Sequence, residues 1–413
     1  MIQNRRRYKT LIFIVFAGYI TTHFSCKPTP DNRSVKQVMD NKVTELYATK
    51  SEAELTALTY EQAKTLFSPE ELNVLATRHW MFDVNVPVTV SVFRSKKQEM
   101  IPWWIEENGF TKTSYTVKNE MTEYEVWQKA FPAGHVGLGI NGFENYGLHY
   151  FVAVQPQKKE DQLTLTNFFP ENQFVGVLQD SAFIYHDWDE LVLINVPEEL
   201  KGAQLLTTVR GRGTESHLVG AFRKTDHPSS EKPDQVMLTW SGDPATTVDI
   251  QWRTDTTVNS GKVSYRKKGD SVVRSAEAYK FRLEDRLLMN DRFINRFTAK
   301  LSGLEPGTVY EYQLASDSLW NPEFAFTTAA TNDTFSFVWF GDTHYSPKFG
   351  RLFNLVDSIH PEVAFYTIAG DLVSDGLYRN QWDDLFFYPA EIISRKPLCV
   401  FPETTITVPD WVP

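Results

Sequence analysis

The run Phe335-Ser-Phe-Val-Trp-Phe340 closes on Gly341-Asp342-Thr343-His344-Tyr345, and Val363-Ala-Phe-Tyr-Thr-Ile-Ala369 closes on Gly370-Asp371-Leu-Val-Ser-Asp375-Gly376. Each is an apolar stretch of strand length ending in a Gly-Asp pair. Between them Phe349, Leu352, Phe353, Val356 and Ile359 recur at helical spacing until Pro361 stops the pattern. A second helical stretch, Asn380 to Ser394, leads into a third strand at Pro397 to Phe401. Strand, helix, strand, helix, strand predicts a parallel sheet with right-handed crossovers. Both Gly-Asp pairs are then expected at the carboxyl ends of neighbouring strands, where α/β sheets place their ligands.

The residue types at those ends suit metal chemistry. Asp342 and His344, one residue apart at an extended strand end, can point the same way and grip one cation with oxygen and imidazole nitrogen. Asp371, from the adjacent strand end, can place one carboxylate oxygen on that cation and the other on a second one about 4 Å away, the spacing of two-metal hydrolases. The preceding glycines allow a sharp turn beneath the ions. The plainer reading is a flavodoxin-like sheet whose strands simply end in capping aspartates.

Upstream, Val236-Met-Leu-Thr-Trp240, Thr247-Val-Asp-Ile-Gln-Trp252, Lys262-Val-Ser-Tyr-Arg266 and Phe297 to Leu301 alternate in the manner of short strands. They lead into Leu304-Glu-Pro-Gly-Thr-Val-Tyr310-Glu-Tyr312, and the spacing predicts a fibronectin-type or immunoglobulin-like β-sandwich over 231–328. Lys224 to Asp234, charged and carrying two prolines, reads as the linker before it. Residues 81–223 read as a β domain of unknown role, with Val84, Val86, Val88, Val90 and Val92 in strict alternation. Within it, Gly137-Leu-Gly139-Ile-Asn-Gly142 spells a dinucleotide fingerprint, but the helix breakers after it favour a turn. Tyr185-His186-Asp187-Trp-Asp189-Glu190 reads as a solvated hairpin tip rather than a metal cluster. Residues 27–80 form a tether and a helical prelude, in which Ser68-Pro-Glu-Glu71 supplies an N-cap, a proline at the first helical position and a capping glutamate.

The motifs carry a resemblance. The run Leu304 to Tyr312, the strand tryptophans Trp240 and Trp252, and Phe324-Ala-Phe-Thr-Thr328 resemble the N-terminal sandwich domain of purple acid phosphatases. Asp342-x-His344 and Gly370-Asp371-x-x-x-x-Gly376 resemble the first two sequence blocks of calcineurin-like metallophosphoesterases. The implied fold is multidomain: a β domain, a β-sandwich, then the first part of an α/β metallophosphoesterase domain over 331–413. The implied activity is metal-dependent hydrolysis of phosphate esters, monoester or diester, by metal-bound hydroxide. Asp342 and His344 would be ligands of the first metal and Asp371 the bridging ligand, with two ions drawn from Fe, Mn or Zn. Purple acid phosphatases have Gly in place of the His of the first block and a Tyr ligand in the second. Here His344 is present and the second block continues Val373, Ser374 and Asp375, so the general phosphoesterase site is implied without the Fe(III)–Tyr colour.

Family members continue with a Gly-Asn-His block, a further His and a Gly-His-x-His block, which supply the second metal and the general acid. Here Pro402 is followed by Glu403-Thr-Thr-Ile-Thr-Val-Pro-Asp-Trp-Val-Pro413, and no histidine lies beyond His360. The ligand set is therefore incomplete, no catalytic acid is assignable, and the chain is expected to be inactive as it stands. Grouping the codons from the third base of Pro402 admits Gly-Asn-His over the Glu403-Thr404-Thr405 codons. A frameshifted tail is thus the expectation, a genuine edge strand from Thr404 to Val408 being the other reading, and resequencing the coding DNA separates them.

The first residues are an address. Arg5, Arg6, Arg7 and Lys9 precede an apolar stretch, Leu11 to Ile20, and Cys26 after Phe24-Ser25 resembles a lipoprotein cleavage site, with His23 where such sites usually have Leu, so 1–26 is expected to direct export and membrane anchoring, plain secretion with cleavage nearby being the other reading. The alternative to the enzyme is a non-catalytic cell-surface binding lipoprotein built on the two β regions. In 413 residues, 42 Lys and Arg against 52 Asp and Glu leave a net charge of −10, and no basic stripe follows the first ten residues, so nothing marks a nucleic-acid binder. With 42% apolar and 14% aromatic residues the chain can bury real cores, and disorder, collagen and coiled coil are excluded. Cys399 is the second cysteine, so no disulfide framework is expected, and it reads as a core residue.

Overall fold

A computed structural model describes residues 32–171, 173–187, 191–314, 320–331 and 334–402. The expected export segment with Cys26, the acidic pair Asp189 and Glu190, and the residues from Glu403 onward lie outside the described residues. From Arg33 the chain forms one compact unit. No helix among the described residues is long and apolar enough to cross a membrane.

Four helices open it: α1 (Val35–Thr49), α2 (Glu52–Thr56), α3 (Tyr60–Thr65) and α4 (Pro69–Thr77). All four begin with a Ser or Thr cap whose side chain accepts from the third residue of the helix while that Gln or Glu reaches back, which satisfies donors the helix leaves open. The expected cap at Ser68, Pro69 and Glu71 is one of them. The longest, α1, falls where only a tether and the start of the prelude were expected. Its buried stripe, Val35, Val38, Met39, Val43 and Leu46, is interrupted in sequence by Lys42, whose ammonium reaches Glu45 and Glu71 while its stem stays inside.

Residues 80–206 build two antiparallel sheets. Strands β1 (Trp80–Val84), β2 (Val88–Ser95), β3 (Thr111–Lys118), β4 (Glu123–Phe131), β5 (Gly134–Leu138), β6 (Phe151–Pro156), β7 (Leu165–Phe169), β8 (Val175–Val177) and β9 (Gln204–Leu206) are joined by one short helix, α5 (Trp103–Glu107). They assemble as a three-stranded sheet, β5-β1-β7, and a six-stranded sheet, β3-β4-β2-β6-β9-β8. The valine alternation is therefore two strands, broken at Asn85-Val-Pro87. One face of the six-stranded sheet packs on β1, β5 and α5, and the other on Ile184, Tyr185, Leu191 and Leu193. Because both faces are covered, nearly every residue of β2 is buried.

Two local expectations are corrected. Gly137 lies in β5 rather than in a turn, so close to α4 that a Cβ there would meet the Thr77 carbonyl oxygen at 2.2 Å; no helix follows. The stretch at Tyr185 is not a solvated tip: Tyr185 is fully buried and donates to the His149 carbonyl at 2.6 Å, and Asp187 is held by Arg210 at 3.1 Å.

Strands β10 (Asp234–Thr239), β11 (Thr247–Thr254), β12 (Lys262–Lys267), β13 (Arg274–Glu277), β14 (Tyr279–Glu284), β15 (Phe293–Ser302), β16 (Val309–Leu314) and β17 (Phe324–Thr327) form two four-stranded sheets, β10-β11-β15-β14 and β13-β12-β16-β17. They share one core, with Ile250, Trp252 and Phe297 from the first meeting Val263, Tyr310, Tyr312 and Phe326 from the second. Trp252 is at its centre, whereas Trp240 turns outward onto Phe365. The expected linker is tied down: Thr225 and Ser229 donate backbone N–H groups to Asn290 and Asp291 at 3.0 and 2.8 Å.

The last part alternates as expected: β18 (Phe337–Phe340), α6 (Pro347–Ile359), β19 (Phe365–Gly370), α7 (Arg379–Phe387), α8 (Ala390–Ile393) and β20 (Leu398–Pro402). The three strands are parallel in the order β18-β19-β20. The helical stretch from Asn380 is divided at Pro389, which cannot continue the ladder of α7. Of the predicted face of α6, Phe349 and Phe353 are buried, while Leu352 and Ile359 are exposed. Phe337 and Trp339 of β18 are also exposed, so this sheet has one uncovered apolar face among the described residues. Cys399 lies in β20 half-buried, and burial raises its thiol pKa.

Candidate active site

Strands β18 and β19 run parallel with Phe340 opposite Ile368, so the two Gly-Asp pairs leave the sheet side by side. The loop after β18 is then sewn to the one after β19. Thr343 and His344 donate their N–H groups to the Asp371 carbonyl at 2.9 and 3.0 Å, and Tyr345 donates to Leu372 at 3.0 Å. The Thr343 hydroxyl, buried, donates to the Leu372 carbonyl at 2.9 Å. To reach these acceptors His344 and Tyr345 both take the left-handed conformation, at φ 45° and 49°. That geometry costs a residue with a side chain about 1–3 kcal/mol each and is held here by the backbone bonds around it.

Gly370 has a specific role. Its φ is 112°, and a Cβ on it would stand 2.1 Å from Asp342 Oδ1. Only a glycine lets the Asp342 carboxylate settle against the Asp371 N–H, at 3.3 Å. His344 extends over the second loop, with Nε2 3.8 Å from Asp371 Oδ2 and Nδ1 3.3 Å from the Ser374 hydroxyl. Asp342 and His344 are exposed and Asp371 half-buried, so the patch is open to a ligand.

The structure thus brings together all three residues expected from the sequence: Asp342 against the backbone of Asp371, and His344 against its carboxylate. Ser374 was among the second-block positions but had no role, because a serine there matches no metal-ligand pattern. Asp375 turns away; burial raises its pKa, and its oxygen caps the N–H of Leu377 at 3.0 Å. Two carboxylates and an imidazole are hard and borderline donors that suit Fe, Mn or Zn. Among the described residues, however, no group of three or more His, Cys, Asp or Glu is gathered closely enough to hold a metal ion. As they stand, these side chains do not fit a two-metal centre.

The elements behind the site are locked to the β regions. Arg223 reaches Asn380 at 3.1 Å and Asp285 at 2.7 Å, and its guanidinium lies 3.8 Å from the centre of the Tyr378 ring. Behind α7, Asp383 accepts from Arg253 at 2.7 Å and from Gln235 at 2.9 Å, and Arg379 donates to Asp291 at 3.0 Å.

Residues 233–328 match the family model described as the purple acid phosphatase N-terminal domain. The sandwich resembles that domain. The resemblance read from Leu304 to Tyr312 and Phe324 to Thr328 is borne out by this match. Among solved structures, purple acid phosphatase PPD1 from yellow lupin (Lupinus luteus) seeds is similar at 13% identity and a TM-score of 0.36, covering 79% of this chain and 54% of the lupin one. A structure of PhoD is similar at 12% identity and a TM-score of 0.28, covering 42% of this chain and 39% of its own. The chain therefore spans about half the length of the lupin protein. No curated protein matches it.

Proposed function

We propose that this chain carries part of the active site of an exported, metal-dependent phosphoesterase, with a phosphate ester as the substrate class. The observation that carries the reading is the convergence of Asp342, His344 and Asp371 at two adjacent parallel strand ends, next to a region that matches a phosphatase-associated domain. In such enzymes the metal supplies Lewis acidity toward the phosphoryl oxygens. What these residues contribute is an open anionic rim with one imidazole, its Nδ1 beside the Ser374 hydroxyl and its Nε2 facing Asp371.

The absence of a gathered metal group among the described residues favours a second reading, a non-catalytic surface-binding protein anchored through Cys26. Hydrolysis of p-nitrophenyl phosphate and of its bis ester, with Mn, Zn or Fe added, separates the two. The enzyme reading expects metal-stimulated turnover that falls to background in Asp371→Asn. Turnover indistinguishable from buffer in the folded parent protein with every metal supports the binding reading instead.

A further inference from the structure

A second polar cluster, sharing no residue with the phosphoesterase patch, lies where the 3-10 turn Arg210–Ser216 meets the starts of β1 and β6. The turn is tied to both: Arg212 Nη2 donates to the His79 carbonyl, and the His149 N–H donates to the Arg210 carbonyl at 3.1 Å. On its other side the Glu215 carbonyl accepts from Arg286, which also holds Asp40 of α1. His79 and His149 are fully buried, Arg212 is 2% exposed and Glu215 4%. Two nitrogens in this interior, His79 Nδ1 and Arg212 Nη1, have no hydrogen-bond partner among the described residues. Glu215 Oε2 stands 3.2 Å from His79 Nδ1, yet off the direction of a hydrogen bond.

The kind of each nitrogen follows from its neighbours. The Nε2 atoms of His79 and His149 are 2.8 Å apart, so one hydrogen lies between them. His149 Nδ1 is 2.6 Å from the Tyr150 carbonyl oxygen, which can only accept, so its hydrogen is on Nδ1. Burial, chiefly, holds both imidazoles well below their usual pKa range and so neutral. A neutral His149 with its hydrogen on Nδ1 accepts at Nε2. His79 then donates from Nε2 and keeps a bare lone pair on Nδ1. The two unpartnered nitrogens are thus of opposite kind: Arg212 Nη1 can only donate, and His79 Nδ1 can only accept.

Buried polar groups in folded proteins are answered, by protein or by ordered water. Whatever answers these two must accept from a guanidinium and donate to an imidazole at once. A simple anion has no hydrogen to give His79, and a metal cation would stand against the Arg212 charge. A hydroxyl meets both demands, and the near absence of exposed surface around it limits that hydroxyl to the smallest one. We propose that one water molecule is built into this junction, accepting from Arg212 Nη1 and donating to His79 Nδ1 and to the Glu215 carboxyl. Interior waters make about three hydrogen bonds, which is the number this one finds. Burial raises the Glu215 pKa against the Arg212 charge, and no direct hydrogen bond joins those two side chains; the water supplies the link.

A crystal structure of the full chain that shows ordered solvent tests this directly. A single peak is expected about 2.7–3.2 Å from both His79 Nδ1 and Arg212 Nη1, without the anomalous signal of a metal or of soaked bromide. In solution, nitrogen NMR of the chain with 15N-labelled histidine should show His79 with its hydrogen on Nε2 and a hydrogen-bonded lone pair on Nδ1. The Glu215→Gln variant should keep that Nδ1 shift, because the donor to Nδ1 is the water rather than the side chain at 215. No peak at that point, an ion in its place, a hydrogen on His79 Nδ1, or loss of the Nδ1 shift in a folded Glu215→Gln variant would each overturn the proposal. Should that variant not fold, the peak and the parent spectrum decide alone.

Discussion

Gly370 is the residue on which the candidate site turns, because both its backbone angle and the space above it exclude a side chain. Replacing it with alanine puts a methyl group where Asp342 Oδ1 now lies, 2.1 Å from the ideal Cβ position, at a φ of 112°. We expect Gly370→Ala to cost about 1–3 kcal/mol in urea unfolding. It should also displace Asp342 from the Asp371 N–H, so any metal-stimulated turnover of p-nitrophenyl phosphate should fall with it. Unchanged stability would mean that the loop relaxes without strain. The glycine was legible beforehand as a turn residue, and Asp342, His344 and Asp371 were legible as a group. The left-handed pair His344 and Tyr345 was not, since no property of histidine or tyrosine favours that conformation; the carbonyls of Asp371 and Leu372 impose it.

At the scale of elements, α7 is held by charge more than by apolar contact. Asp383 is 1% exposed and receives Arg253, Gln235 and Arg379 from two elements of the sandwich and its own helix. Asp383→Ala leaves Arg253 to Asp234 and Arg379 to Asp291, each with one charged hydrogen-bond partner fewer, and we expect a loss of about 1.5–3 kcal/mol by chemical denaturation. A loss under about 1 kcal/mol, the range of an exposed pair, would show that water reaches the cluster. Strands were read well where the sequence alternates or runs apolar over strand length, as in β2, β10, β11 and β16, even though β2, β10 and β11 are buried on both faces. The β13–β14 hairpin was not read: β13 carries no large apolar residue, and the alternating Tyr279, Phe281 and Leu283 of β14 lie on a largely exposed face. Helix α1 was missed because Lys42, a residue usually found outside, sits within its buried stripe.

For the whole molecule, the regions that read as separate modules are cross-linked. Tyr47 of α1 donates to the Arg286 carbonyl at 2.9 Å, Arg223 joins the end of the β region to Asn380 of α7, and Tyr312 of the sandwich core donates to the Ser394 carbonyl at 2.6 Å. Met237 of β10 belongs to the core beneath β18–β20. We therefore expect 331–413 expressed alone not to unfold cooperatively, because its sheet keeps an uncovered face and loses Met237, Arg253 and Asp291. In contrast 231–328, with its own core around Trp252, should melt in a single transition. Differential scanning calorimetry of the two pieces checks this; a sharp transition for 331–413 would refute it.

The Arg253 cluster also bears on the order in which the chain is made. A ribosome delivers Asp234 before Arg253 and Asp383 only 130 residues after it. Arg253 already has a partner in Asp234, 2.6 Å away on the adjoining strand, so the guanidinium has a counter-ion during the long interval before α7 emerges. The late-arriving helix brings Asp383 to a cation that is already in place, and synthesis from the amino terminus never exposes this side of the sandwich as a charge without a partner.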